Sequence, residues 1–341
     1  MNSLSFELPF VNCILPILIS ICQKEKCNLP EISIQLTILN STNKKYLVSI
    51  VGPTAIGKTA LAIELAKHYK TVILSADSRQ FYKEISIGTA KPSLDELNEV
   101  QHYFINNKSV SETYSAGDFE RDAMKLLAEL FSKNDIVILV GGSGLYIKAL
   151  WEGLDEMPPL NEEFRKEIIL DFETKGIHFL QEKLKALNAE KFEKIDKQNP
   201  QRLMRAIEIE LQNITFKTDQ TKAPRFFETI KICLNTNREI LYDRINKRVD
   251  SMIENGLLKE CEQMISFRNN YALNTVGYSE IFDFFDGIIS LEKAIELIKQ
   301  HSRNYAKRQV TWFKREVDLN WFEPNEKPKI TEFINNKIGR K

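Results

Sequence analysis

A strand that runs straight into a glycine turn and then a helix leaves a chain few ways to fold, and KKYLVSIVGPTAIGKTALAIELA (44–66) has that form. Residues 44–51 are apolar and rich in β-branched side chains, as a buried strand requires. A helical period begins at Lys58 and holds to Tyr69. Between them, Gly52-x-x-x-x-Gly57-Lys58-Thr59 fits a phosphate-binding loop in its proper strand-to-helix setting. The glycines let backbone N–H groups of the loop converge on phosphate oxygens. The helix N-terminus adds partial positive charge. Lys58 supplies a full charge, and the Thr59 hydroxyl can ligate Mg²⁺. The loop by itself does not say which phosphate it holds or what is done to it.

The rest of the chain repeats the strand–helix alternation. TVILSA (71–76) reads as a second strand, and Phe119 to Phe131 as a helix capped by Asp118. DIVILVGGSG (135–144) is a third strand entering a glycine turn, followed by a helix from Leu145 to Trp151. This order predicts an α/β fold, a P-loop parallel-sheet core. After Met157-Pro158-Pro159 the texture changes, and residues 161–212 are charged, helical in period and almost free of glycine. An all-helical insertion over 156–225 is therefore expected, with the core formed by 45–155 and 226–322. FFETIKICL (226–234) returns to the sheet, Asn255-Gly256 ends a helix, a long helix spans Leu291 to Phe313, and VDLNWF (317–322) is a last strand. The asparagine- and lysine-rich residues 323–341 read as a frayed tail.

Composition excludes more than it proposes. Lys plus Arg equals Asp plus Glu, 47 each, so overall charge names no partner. The five cysteines include no CxxC pair and there are four histidines, which argues against zinc and a disulfide framework and for a reduced cytoplasmic setting. The apolar run at 10–22 is shorter than the roughly 20 residues of a membrane span, and no basic segment precedes it as in a signal peptide. No membrane association is expected. Residues 1–44 read as a disordered extension or a start-site artefact, the working protein beginning near Asn43.

Two further features narrow the chemistry. The strand at 135–140 ends in Gly141-Gly142-Ser143-Gly144, with no carboxylate where a nucleotide hydrolase holds Mg²⁺. Asp77, by contrast, ends the second strand at the sheet edge where ligands bind. Beside a phosphate it is poorly placed to bind the anion and well placed to take a proton from a nucleophile; a turn or cap role is open on pattern alone. Residues 299–315 carry six Lys/Arg and no acid, and Lys299, Arg303 and Lys307 share one helix face. With Tyr305, Trp312 and Phe313 interleaved, this face suits RNA; a solvated face over aromatic core anchors is the other reading.

The ordered set GPTAIGKT, ADSRQFY, IGTAKP, VGGSGLYIKAL, NPQRLMRAIEI, VGYSEI and YAKRQVTWF, across residues 46–322, resembles the tRNA dimethylallyltransferases (tRNA isopentenyltransferases). The resemblance implies transfer of a dimethylallyl group from dimethylallyl diphosphate to N6 of adenosine 37 in tRNA, with Mg²⁺ as cofactor and a monomer as the usual state. The cradle would then hold a diphosphate leaving group on Gly52, Thr54, Ala55, Ile56, Gly57, Lys58 and Thr59. By position Asp77 matches the general base, and Ser143 stands where the family usually has a threonine hydroxyl. Asp77, Ser78, Arg79 and Gln80, then Arg165, then Gln201, Arg202, Leu203, Met204 and Arg205 match stretches that contact the tRNA anticodon stem-loop. Phe81 replaces a common valine and Asn274 a common glutamine. A small-molecule P-loop kinase binding ATP, a prenyltransferase of free adenine nucleotides and a non-catalytic RNA-binding module are the competing expectations.

Overall fold

The computed structural model describes residues 44–155, 161–213 and 224–340. The expected N-terminal extension (save Lys44) lies outside these residues, as do 156–160 and 214–223 of the expected insertion. The chain divides into two compact units: residues up to Glu152 with those from Arg225 onward, and Gly153–Pro224.

In chain order the first unit begins β1 (Tyr46–Val51), α1 (Lys58–Tyr69), β2 (Ile73–Ala76), α2 (Leu94–Glu99), β3 (His102–Tyr103), α3 (Ala116–Phe131), β4 (Ile136–Gly141) and α4 (Gly144–Glu152). The second unit holds α5 (Glu162–Leu187), broken at Gly176, α6 (Ala189–Lys194) and α7 (Pro200–Asn213). The first unit resumes with β5 (Glu228–Leu234), α8 (Arg238–Glu254), α9 (Leu257–Gln263), α10 (Tyr278–Phe285), α11 (Leu291–Phe313), β6 (Asn320–Phe322) and α12 (Lys327–Ile338). The six strands form one sheet in the order β3-β2-β4-β1-β5-β6, every neighbouring pair parallel.

Burial explains the sheet. β1, β2 and β4 are buried along their whole length, as strands covered on both faces must be. Register then positions everything that matters for function. Val51 pairs with Gly141, Ala76 with Gly141, and Val51 with Cys233, so β1, β2, β4 and β5 end in one row. The phosphate loop, Asp77 and the Gly142-Ser143 turn all leave the sheet from that row.

Three expectations are corrected. The cap of α3 is Ser115, whose hydroxyl accepts from the Asp118 N–H while Asp118 returns a bond to the Ser115 N–H, so Asp118 is the far half of a capping box. The frayed tail is instead α12. Ile330 and Ile334 are wholly buried, Tyr69 donates to Asn335 Oδ1 at 2.9 Å, and the helical spacing of these isoleucines was hidden by polar neighbours. The basic face of α11 is not free: Lys299 pairs with Asp250 at 2.5 Å and Arg303 donates to Asn246 Oδ1 at 2.7 Å, both acceptors lying on α8, while Lys307 is exposed. The acceptors missing from that stretch of sequence, one carboxylate and one amide oxygen, come from the helix packed against it. Among the described residues no helix is long and apolar enough to cross a membrane.

Candidate active site

The glycine turn forms between β1 and α1 as expected, but the Thr54 N–H is held by Gln309 Oε1. Gly52 sits at φ 142°, and a Cβ there would lie 2.5 Å from the Leu234 carbonyl, so only glycine lets β1 turn off the sheet beside β5. Gly57 stands at the cap of α1, which carries no acid in its first turn to compete with an anion. Lys58 Nζ donates to the Pro53 carbonyl at 2.7 Å. Burial of this ammonium, aided by the nearby Arg248 charge and opposed by Asp77, pushes it down to about 8.

Two cavities meet at this edge. One, about 320 Å³, is lined by the loop from Thr54 to Ala60 with Ser75, Gly141 and Gly142. The other, about 540 Å³, runs between α8 and α11 past Ile245, Val249, Met252 and Ile298 toward Asn274 and Thr275. Thr54, Asp77, Arg248 and Tyr305 line both. Asp77 therefore stands on a wall common to both cavities.

Sequence reasoning missed three members of this junction. Arg248 comes from α8, and its Nη1 donates to Thr54 Oγ1 at 2.8 Å. Burial depresses its pKa and Asp77 counters, so a second desolvated cation faces the cradle beside Lys58. Tyr305, read either as part of an RNA-suited face or as an aromatic core anchor, lines both cavities and lies next to Ser143; burial, then Asp77, push its phenol up to about 12. Gln309 is buried and bridges two loops: it accepts from the Thr54 N–H at 2.8 Å and donates to the Gly142 carbonyl at 2.9 Å. A Cβ on Gly142 would stand 2.3 Å from its Nε2, so a larger residue there displaces the bridging amide. The available signal was the spacing of Tyr305 and Gln309, four apart on one face of α11.

Gln309→Leu leaves the Thr54 N–H and the Gly142 carbonyl without this partner, at about 1–3 kcal/mol for each buried group left unpaired. The expected result is a Tm lowered by several degrees and inorganic diphosphate binding weakened about tenfold, read by thermal melting and calorimetry.

Asp77 accepts from the Arg79 N–H at 3.0 Å through Oδ1. Ser143 is buried, accepts from the Ser78 N–H at 2.9 Å and bonds the Ser78 hydroxyl at 3.2 Å. Asp77, Ser78, Ser143 and Tyr305 thus form one connected patch. Gln80 is used internally, accepting from Ser75 Oγ and donating to the Thr89 and Ala90 carbonyls, so it braces the loop that follows. Phe81 is fully buried among Phe104, Tyr114, Phe119 and Tyr146, which makes its identity a matter of packing.

In the helical unit the expected RNA-contacting stretch divides. Gln201 and Arg202 are exposed, whereas the side chains of Leu203 and Met204 lie in the unit's core, and the expectation that they touch RNA is corrected. They occupy the inward face of α7. Buried Glu208 holds Arg165 Nη1 at 3.3 Å and Arg205 Nη1 at 3.0 Å, fixing both guanidinium groups.

The fold and this junction define an α/β protein with a P-loop core, its glycine loop lying beside a carboxylate that also lines a second cavity. Residues 80–316 match the family model described as IPP transferase. The tRNA dimethylallyltransferase of Christiangramia forsetii is 49% identical over 298 residues, 86% of this chain and 99% of the relative. That of Cytophaga hutchinsonii is also 49% identical over 298 residues, covering 86% and 98%. The crystal structure of the full-length tRNA isopentenylpyrophosphate transferase from Bacillus halodurans superposes with a TM-score of 0.66 at 34% identity, covering 87% of this chain and 97% of that one. The chain belongs to the IPP transferase family, whose relatives here are tRNA dimethylallyltransferases.

Proposed function

We propose that this protein moves the dimethylallyl group of dimethylallyl diphosphate to N6 of adenosine 37 in tRNA, releasing diphosphate. The observation that carries this reading is the shared wall of the two cavities, with Asp77 between a cationic cradle and a second chamber. The amine of adenine is a weak nucleophile because its lone pair is delocalised into the ring. Asp77 accepts its proton as the C–N bond forms. Ser143 and Tyr305 hold the acceptor edge of the site, and the diphosphate departs onto Lys58, Arg248 and the loop amides. The adenine leaves its stack to enter, as bases do when chemistry is performed on them. Fixed Arg165 and Arg205 with exposed Arg202 suit the helical unit to an RNA backbone.

Mg²⁺ fits this donor set. Thr59 and Glu96 open on the cradle cavity, and among the described residues no cluster of His, Cys, Asp and Glu forms a cage. That suits a cation bound through a few protein oxygens, substrate phosphate and water. Bound there, it would neutralise charge on the departing diphosphate.

Incubating the protein with prenyl-labelled dimethylallyl diphosphate, Mg²⁺ and either unmodified tRNA or free adenosine monophosphate tests the acceptor. Label entering RNA supports the proposal; label entering only the free nucleotide refutes it. A pH profile tests the cradle. Lys58 is charged below its value of about 8 and neutral above it, so binding that needs the ammonium is lost as pH rises. The value of kcat/KM for the diphosphate substrate is expected to be level below about pH 7 and to fall above about pH 8. Lys58→Arg, charged throughout, removes that alkaline limb.

A further inference from the structure

Tyr271 is 58% exposed and packs on Arg79, which lines the 540 Å³ cavity. It opens the short 3₁₀ turn Tyr271–Leu273, whose other two residues, Ala272 and Leu273, are buried. Asn270 donates to the Val110 carbonyl at 3.2 Å and pins the turn from the other side. The ring is therefore presented on a fixed support.

One face of this ring is covered by Arg79, whose guanidinium carbon lies 4.6 Å from the ring centroid. Arg79 Nη2 donates to the Asn274 carbonyl at 3.1 Å, and Asn274 and Arg79 both line the 540 Å³ cavity. Arg79 is two residues from Asp77 and bonds it through its own N–H. A guanidinium and a phenol ring thus lie in sequence outward from the proton-accepting carboxylate.

We propose that Tyr271, backed by Arg79, is a stacking platform for an unstacked base next to the target adenosine in the RNA substrate, an inference that rests on the function proposed above. When the target base leaves its stack, its neighbour loses a partner, and an aromatic ring at the cavity mouth replaces it. Such stacking tolerates any base because each has a π-face, and the guanidinium adds positive charge for the adjoining phosphate. An amphipathic ring with a cation on one face fits this occupant better than an apolar protein segment, which would leave Arg79 facing hydrocarbon.

The test uses the full chain and an anticodon stem-loop oligonucleotide with 2-aminopurine beside the target adenosine. Tyr271→Ala is expected to raise KM for this RNA about tenfold or more, the size expected for one lost stacked base. KM for dimethylallyl diphosphate and Tm stay at wild-type values. Tyr271→Phe restores RNA affinity, and the quenching of 2-aminopurine on binding is present in wild type and Tyr271→Phe but absent in Tyr271→Ala. Unchanged KM for RNA and unchanged quenching in Tyr271→Ala overturn the platform. So does an equal loss for both substrates with a lower Tm, which would mark the ring as a structural support. Failure of the wild-type protein to label RNA at all would instead count against the proposed function.

Discussion

Asp77→Asn is expected to lower kcat at least about a hundredfold, the lower range for a lost acid–base group, with KM for dimethylallyl diphosphate changed only a few-fold. Asp77 stands on the wall common to both cavities, and its charge supports the protonated forms of Lys58 and Arg248. Replacing it with asparagine has two opposed effects on diphosphate binding. Repulsion of the anion disappears, while Lys58, already held at about 8, loses a neighbour that favours its charge. The two offset in KM, but nothing replaces the lost proton acceptor in kcat. Steady-state kinetics with RNA saturating separates the two terms. Activity near wild type in Asp77→Asn removes the residue from its role, and a large rise in KM alone assigns it to binding instead.

Arg248→Gln is expected to cost about 10²–10³ in kcat/KM for dimethylallyl diphosphate, as when one donor to a developing anion is removed. Its folding effect should run the other way. Arg248 is partly buried, its charge is disfavoured there, and its Nη1 donates to the Thr54 hydroxyl. A desolvated cation held without a close carboxylate opposes folding, so the glutamine variant is expected to melt at the same temperature or higher. A protein more stable and far less active is the signature of a group retained for its ligand. A fall in Tm with unaltered kcat/KM would make Arg248 a structural residue.

Much of this site was legible in the sequence because its parts are local. A loop whose glycines, lysine and threonine lie within eight residues announces itself, and strand endings place Asp77 and Ser143 on the same edge. Arg248 and Gln309 were not legible as site residues, and Tyr305 only as one aromatic of a basic face, because packing and not local sequence sets their places on the cavity walls. Arg248 is one arginine of three in α8, alongside Arg238 and Arg244, and acquires its role from the packing of α8 over the loop. Gln309 looks like a polar residue in a basic helix until its two loop partners, 255 and 167 residues away, are brought to it. The misreading of 323–341 has a related cause. Asparagine and lysine dominated the composition, while two isoleucines at helical spacing settled the packing. Likewise Lys299 and Arg303 looked free because their partners sit on another helix.

The central claim is that the cradle grips a leaving group and that the bond broken joins carbon to oxygen. Dimethylallyl diphosphate carrying one label in the prenyl carbons and another on phosphorus tests it in a single incubation with unmodified tRNA and Mg²⁺. Carbon label in the RNA, recovered on N6 of adenosine, with all phosphorus label in free diphosphate, is the expected result. Phosphorus label in the acceptor, or transfer seen only when ATP replaces the prenyl donor, would contradict it.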